Sequence, residues 1–157
     1  MMQQMNNTYY TYETSYGIIT VESDGAAITL LKAGKNINPR GKKTATPLTD
    51  KTANQLNEYF EGKRKVFDIP LNPQGTDFQR KVWKALEAIP YGETRSYKDI
   101  ATAVGNPKAC RAVGLANNKN PIWIIIPCHR VIGANGSLTG YGGGIDMKRK
   151  LLDKESN

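Results

Sequence analysis

Long apolar runs are missing from this chain. The longest, Ile122–Ile126, falls far short of the roughly 20 residues that cross a bilayer as a helix. Residues Met1–Asn7 also lack the basic-then-apolar order of a secretory leader, so a soluble, cytoplasmic protein with no membrane partner is expected. Cysteine and histidine are scarce, with only Cys110, Cys128 and His129 present. Two cysteines allow at most one disulfide. A zinc site would need both of them, the histidine and a carboxylate or water, and the adjacency of Cys128 and His129 suits tetrahedral ligation poorly. No metal and no cofactor is expected. Acidic side chains are absent from the whole interval between Asp99 and Asp146, which nevertheless holds Lys108, Arg111, Lys119 and Arg130. In a chain of net charge +8, an acid-free stretch with spaced bases suits a surface that meets phosphates.

What is present divides into two parts of different character. The first is β-rich. Tyr9–Tyr16 and Ile18–Ser23 read as strands, and Asp24-Gly25 as a hairpin turn before a third strand, Ala26–Lys32. A loop over Lys35–Pro47 follows, then a helix over Leu48–Glu61 that stops at Gly62, and a short strand at Val66–Ile69. Prolines and glycine in Pro70–Gly75 mark a linker. The expected domains are therefore 1–70 and 76–157, joined by 71–75.

The second part reads as helical. Thr76 and Gln79 form a capping box ahead of an apolar face of Phe78, Val82, Leu86 and Ile89. Ser96 and Asp99 form another, opening a helix that Gly105 closes. Pro107 is placed at the first position of a third helix running to about Asn117. Two short helices about a tight glycine turn make a helix-turn-helix, whose second helix usually enters a DNA groove. An αα-hairpin packed only for stability has the same outline. The second helix favours nucleic acid because Lys108, Ala109, Ala112 and Gly114 are basic or small, and Arg111 is its one long cation.

Chemistry concentrates in Ile124–Ile132. An apolar strand is expected to run through the interior to Pro127, delivering Cys128 to a pocket at its end. Cysteine attacks as thiolate and needs a base or positive surroundings to ionise; His129 and Arg130 are the adjacent candidates. On a continuing strand, neighbours point to opposite faces, so a turn or a water would have to connect Cys128 with His129. A buried structural cysteine beside a core histidine is the plainer alternative.

From Phe78 to about Glu155 the chain resembles the O6-alkylguanine-DNA alkyltransferase family. The matching pieces are Ser96-Tyr97, Gly105-Asn106-Pro107-Lys108, Arg111-Ala112-Val113-Gly114, Asn120-Pro121, Pro127-Cys128-His129-Arg130-Val131, Gly140-Tyr141, and Leu151-Leu152 with Glu155. Before residue 70 only the coarse order of strands and helix matches. The resemblance implies an α/β (α+β) fold, with an N-terminal antiparallel sheet and helix, ribonuclease-H-like, packed on a C-terminal helical domain with the helix-turn-helix.

It also implies roles. Cys128 accepts the alkyl group, His129 takes the thiol proton through a water, and Glu155 holds His129. Tyr97 protonates the departing guanine and crowds the phosphate as the nucleotide rotates out. Arg111 fills the stack, with Lys108, Ala112 and Gly114 in the same DNA-binding surface, and Asn120 steadies the turn before the cysteine. Val131, Tyr141, Gly142 and Trp123 border the flipped base. The implied partner is double-stranded DNA carrying O6-alkylguanine or O4-alkylthymine, repaired once per molecule by a monomer that needs no protein partner. Trp123 stands where members accepting bulky groups often carry proline, which suggests a narrower pocket. Two other readings stay open: a lesion-binding or helix-turn-helix regulatory protein without transfer, and a Cys-His hydrolase. The first is disfavoured by the presence of Cys128, the second by the lack of a separate histidine or an oxyanion loop.

Overall fold

The computed structural model describes residues 6–34, 36–138, 141 and 144–156. It divides between Gln74 and Gly75 into two units. In the first, β1 (Thr8–Thr14) and β2 (Gly17–Ser23) form a hairpin with Tyr9 opposite Glu22 and Thr14 opposite Gly17. Strand β3 (Ile28–Ala33) pairs antiparallel with β2, setting Val21 against Leu31. Asp24 makes the intervening turn by accepting the backbone N–H groups of Ala26 and Ala27 through one carboxylate oxygen, so β3 starts two residues later than expected.

Helix α1 (Pro47–Phe60) packs on β1 and β2 and buries Ala53, Leu56 and Tyr59. Pro47, expected to end a loop, instead opens this helix, where its missing N–H leaves no bond unmade. Gly62 follows the C-cap at φ +77°, a conformation that favours glycine. The expected loop also contains a two-residue strand, β4 (Lys42–Lys43), parallel to β1, which completes the sheet order β3-β2-β1-β4. The expected strand at Val66–Ile69 does not form. Its Asp68 N–H donates to the Gln55 side chain of α1, and Phe67 lies against Tyr59, so the segment spends its backbone on a helix and not on a ladder. Part of the expected linker is tied down as well, since Ile28 exchanges backbone hydrogen bonds with Pro70 and Asn72.

The second unit holds four α-helices among its described residues. Helix α2 (Asp77–Glu87) is capped by Thr76 and Gln79 and buries Val82, Trp83 and Leu86. Helix α3 (Tyr97–Ala103) is capped by Ser96 and Asp99. Gly105, at φ +86°, turns the chain, and α4 (Cys110–Asn118) follows. Pro107 is not the first residue of α4. It lies inside a turn closed by Ala109 N–H and Asn106 C=O, so the helix starts three residues after it. The Trp83 indole donates to Ala116 C=O at 2.9 Å and locks α2 to α4. The last helix, α5 (Ile145–Ser156), was not anticipated. A two-residue parallel pair, β5 (Arg95–Ser96) and β6 (Val131–Ile132), brings the start of α3 alongside the chain leaving Cys128. Among the described residues, no helix is long and apolar enough to cross a membrane.

Candidate active site

The run before Cys128 is not a strand. Asn120, fully buried, accepts the Ile122 N–H at 2.9 Å and donates to Ile126 C=O at 2.8 Å, clasping both ends of the run. Between them the chain must fold back sharply. Ile124 sits at φ +72° with Ile125 N–H donating to Trp123 C=O at 2.8 Å, a tight γ-turn that β-branched residues rarely adopt. A second, inverse γ-turn is centred on Pro127 and closed by Cys128 N–H on Ile126 C=O at 2.8 Å. Two bends in four residues leave no extended segment, and the expectation of a strand ending at Cys128 is corrected accordingly.

Cys128, His129 and Arg130 form a single 3₁₀ turn. Successive side chains there diverge by about a third of a circle, so Cys128 and His129 are not forced to opposite faces as they would be on a strand. Cys128 is 2% exposed, and its carbonyl accepts Asn117 Nδ2 of α4 at 3.3 Å. The second helix of the helix-turn-helix therefore fixes the backbone of the thiol residue directly.

His129 is wholly buried. Its Nε2 lies 2.7 Å from Glu155 Oε2, while its Nδ1 has no hydrogen-bond partner among the described residues. Glu155 comes from α5 and is gripped from the other side by Arg130, through Nε at 2.8 Å and an Nη at 3.0 Å, while the second Nη donates to Ile89 C=O. A carboxylate paired this way accepts and does not donate. Nε2 therefore carries the imidazole proton and Nδ1 presents its lone pair. Burial holds His129 below its ordinary pKa of 6.5, with Glu155 pulling it back up. Arg130, expected to lend charge to the thiol, is committed to Glu155 instead.

Two more buried side chains feel the charge of the thiol. Tyr141 is buried, and desolvation first, then the negative charges of Cys128 and Glu155, raise its phenol well above 10. Lys148 of α5 is fully buried and donates to Val131 C=O at 2.5 Å; burial lowers its pKa and the charge of Cys128 opposes that shift. Trp123 is half-buried, its ring centroid 5.8 Å from that of Tyr141.

The structure thus gathers Cys128, His129, Glu155, Val131 and Tyr141 around one buried turn, with Asn120 supporting it and Trp123 at its border. Tyr97, half-buried at the start of α3, faces Gly114 of α4: a Cβ at residue 114 would lie 3.8 Å from the Tyr97 ring. Arg111 and Ala112 are exposed on α4, and Lys108 is exposed in the turn before it. Gly140 and Gly142 lie outside the described residues. Asn117, Lys148 and the Arg130–Glu155 grip were missed from sequence. A polar residue on the core stripe of an apolar helix, as Asn117 is beside Val113 and Ala116, is the signal that could have found the first. Among the described residues, no group of three His, Cys, Asp or Glu side chains could hold a metal ion.

A buried nucleophile backed by a histidine–carboxylate pair and mounted on a helix-turn-helix defines a class of thiol group-transfer proteins. Residues 77–157 match the family described as 6-O-methylguanine DNA methyltransferase, DNA binding domain, and residues 7–73 match that enzyme's ribonuclease-like domain. With nearly the whole chain covered by the two matches, it belongs to the 6-O-methylguanine DNA methyltransferase family. The methylated-DNA–protein-cysteine methyltransferase of Mycobacterium tuberculosis is 50% identical over 152 residues, covering 95% of this chain and 92% of that one. The protein of the same name from Methanosarcina barkeri is 65% identical over 105 residues, which span 67% of this chain and 66% of that protein. Among solved structures, Mycobacterium tuberculosis OGT in complex with DNA superposes with a TM-score of 0.89 at 50% identity, covering 95% of this chain and 92% of that one.

Proposed function

We propose that this protein repairs duplex DNA by direct reversal, moving the alkyl group from O6 of guanine, or O4 of thymine, onto Cys128 in a single irreversible turnover. The observation that supports this most is the state of His129: Nε2 is engaged by Glu155, and Nδ1 is left with its lone pair on the residue next to the thiol. The Cys128 proton passes through a water to Nδ1. The thiolate attacks the alkyl carbon, the carbon–oxygen bond breaks with its electron pair going to the base, and Tyr97 donates a proton to the departing base. The resulting thioether has no easy route back to the thiol, so each molecule is consumed.

A stacked base hides its alkyl group, and extruding it costs a few kcal/mol. Arg111 fills the vacated stack. Ala112 and Gly114 let the helix come close, and Lys108 holds phosphate. Val131, Tyr141 and Gly142 border the flipped base. The unit beginning at Gly75 carries both functions, in keeping with a DNA-binding and acceptor domain at 76–157 joined through 71–75 to a supporting domain at 1–70. The protein acts in the cytoplasm as a monomer, with no cofactor and no obligate protein partner. Incubation with an O6-methylguanine duplex is expected to add one methyl group to the intact mass, on the peptide bearing Cys128. Tight binding with unchanged mass would refute transfer.

The Trp123 ring lies 5.8 Å from that of Tyr141, and its bulk disfavours large alkyl groups at the thiol. Trp123→Ala is expected to speed inactivation by benzylguanine severalfold; equal rates in both proteins would place the indole outside the pocket.

The depressed pKa of His129 predicts a pH dependence. The unfolded chain takes up this proton near 6.5 and the folded protein only at lower pH. Its contribution to stability is therefore complete above 6.5 and is lost as pH falls through the interval beneath. Melting temperature recorded from about pH 8 to about pH 5 is expected to decline below that point, and His129→Gln to flatten the decline. The same shift keeps the base unprotonated, so alkyl transfer should persist at pH values where an ordinary imidazole is already charged.

A further inference from the structure

Helices α2 and α3 leave a groove between them that alkyl transfer does not use. It consists of two adjoining hollows of about 580 and 530 Å³ that share Ala85, Ala88 and Ala103 as a floor. Each is within the roughly 300–1,000 Å³ that takes a ligand. Charge is uneven along it. Arg80, Lys81 and Lys84 border one end, all exposed, and none makes an ion pair among the described residues. Arg80 donates to Gly75 C=O at 3.3 Å. Glu87, about one turn beyond Lys84, has its carboxyl raised by burial and drawn back down by Lys84. At the other end Arg95 is paired with Glu93 at 3.0 Å and Asp99 accepts the Ser96 N–H, so that end is balanced. The groove also faces away from α4. On α2, Trp83 points to α4, and Lys81, Ala85 and Ala88 come about 140–160° round the helix from it. On α3, Tyr97 faces Gly114 of α4, and Ala103 lies about 120° round from it.

We propose that the groove between α2 and α3 is a docking site for a short acidic segment of a partner protein. The segment sets its carboxylates on Arg80, Lys81 and Lys84 and an apolar side chain on the alanine floor. Cations without partners at the rim of a concave apolar floor fit a ligand that carries both anions and hydrocarbon. A phosphate backbone supplies the first and lacks the second. A lipid surface supplies both, but as a broad face with no ridge to enter between two helices. From Lys81 to Ala88 the helix rises about 10 Å, the length of three extended residues. The acids and the apolar side chain of the segment therefore stand within about three residues of one another. Because the groove and the outer face of α4 point apart, the segment can hold the protein while α4 is on a duplex. That last step rests on the DNA-binding reading above; occupancy of the groove does not.

The test follows the amide NMR signals of the isotopically labelled full chain as short peptides are added. The first probe is an aspartate-rich peptide carrying two phenylalanines. The second replaces its phenylalanines by serine, and the third replaces its aspartates by asparagine. The first is expected to shift the amides of Ala85, Ala88 and Ala103 and to bind about tenfold more tightly than either control. Lys81→Gln combined with Lys84→Gln is expected to weaken that binding about tenfold and to flatten its salt dependence. Ala88→Trp fills the floor at an exposed position, so it should weaken binding as much and leave the salt dependence unchanged. Both variants should match wild type in duplex affinity and in alkyl transfer. Shifts confined to α4, or no shifts at all, would overturn the docking site. So would equal binding of either control peptide, which would leave only a charged patch or only an apolar one. A parallel loss of duplex affinity in the double variant would assign the groove to DNA and overturn it too. A wild-type protein that binds no duplex refutes the DNA-binding reading alone; the peptide titration still decides the groove.

Discussion

Replacing Glu155 by alanine is expected to destabilise the fold by about 3–5 kcal/mol and to slow alkyl transfer by at least about a hundredfold. Glu155 is 5% exposed and serves two partners at once. Without it the Arg130 guanidinium keeps, among the described residues, its bond to Ile89 C=O and its place over the Tyr91 ring, but no anion, and His129 Nε2 loses its acceptor. Leaving a buried cation unpaired accounts for most of the stability loss, which at this chain length lowers the melting temperature by roughly 10 °C. Glu155→Gln separates the two effects. Its amide oxygen still accepts from Arg130, so stability falls less, but the amide nitrogen donates into Nε2 and moves the imidazole proton to Nδ1. The base is lost with the geometry kept, so transfer falls nearly as far as in Glu155→Ala. A melting temperature within a degree or two of wild type for Glu155→Ala would contradict the buried grip.

Arg111→Ala is expected to reduce transfer from duplex DNA by about a hundredfold or more while leaving the reaction with free benzylguanine unchanged. Arg111 is exposed on α4 and, among the described residues, belongs to no buried network, so its loss should not disturb Cys128. Removing the side chain that fills the gap returns the unstacking penalty, a few kcal/mol, to the barrier. The salt dependence of duplex affinity should flatten by about one counterion. Equal losses on duplex and free base would place Arg111 in the thiol's environment and not in the DNA.

Capping explains why the helical half was readable. Thr76–Gln79 and Ser96–Asp99 act within four residues, and both boxes form as expected. The segment 122–127 depends on a side chain outside it: Asn120 clasps its two ends, and Ile124 then adopts a positive φ that no local propensity favours. A five-residue apolar run has no periodicity to betray this. Helix α5 escaped for the opposite reason. Its buried stripe is Lys148, Leu151 and Glu155, so two of three core-facing positions are charged, and burial is tolerable only because Val131 C=O, His129 and Arg130 receive those charges from afar in sequence. The family pattern singled out Glu155. Arg130's true partner and the anchoring by Asn117 were visible only once the chain was folded.

The central claim is that one sulfur accepts one alkyl group. Titrating the protein with excess duplex carrying isotopically labelled O6-methylguanine, and counting label per protein molecule, tests it most directly. One label per wild-type chain, confined to the Cys128 peptide and absent from Cys128→Ser, is the predicted result. More than one lesion repaired per chain, or label retained in Cys128→Ser, would contradict it.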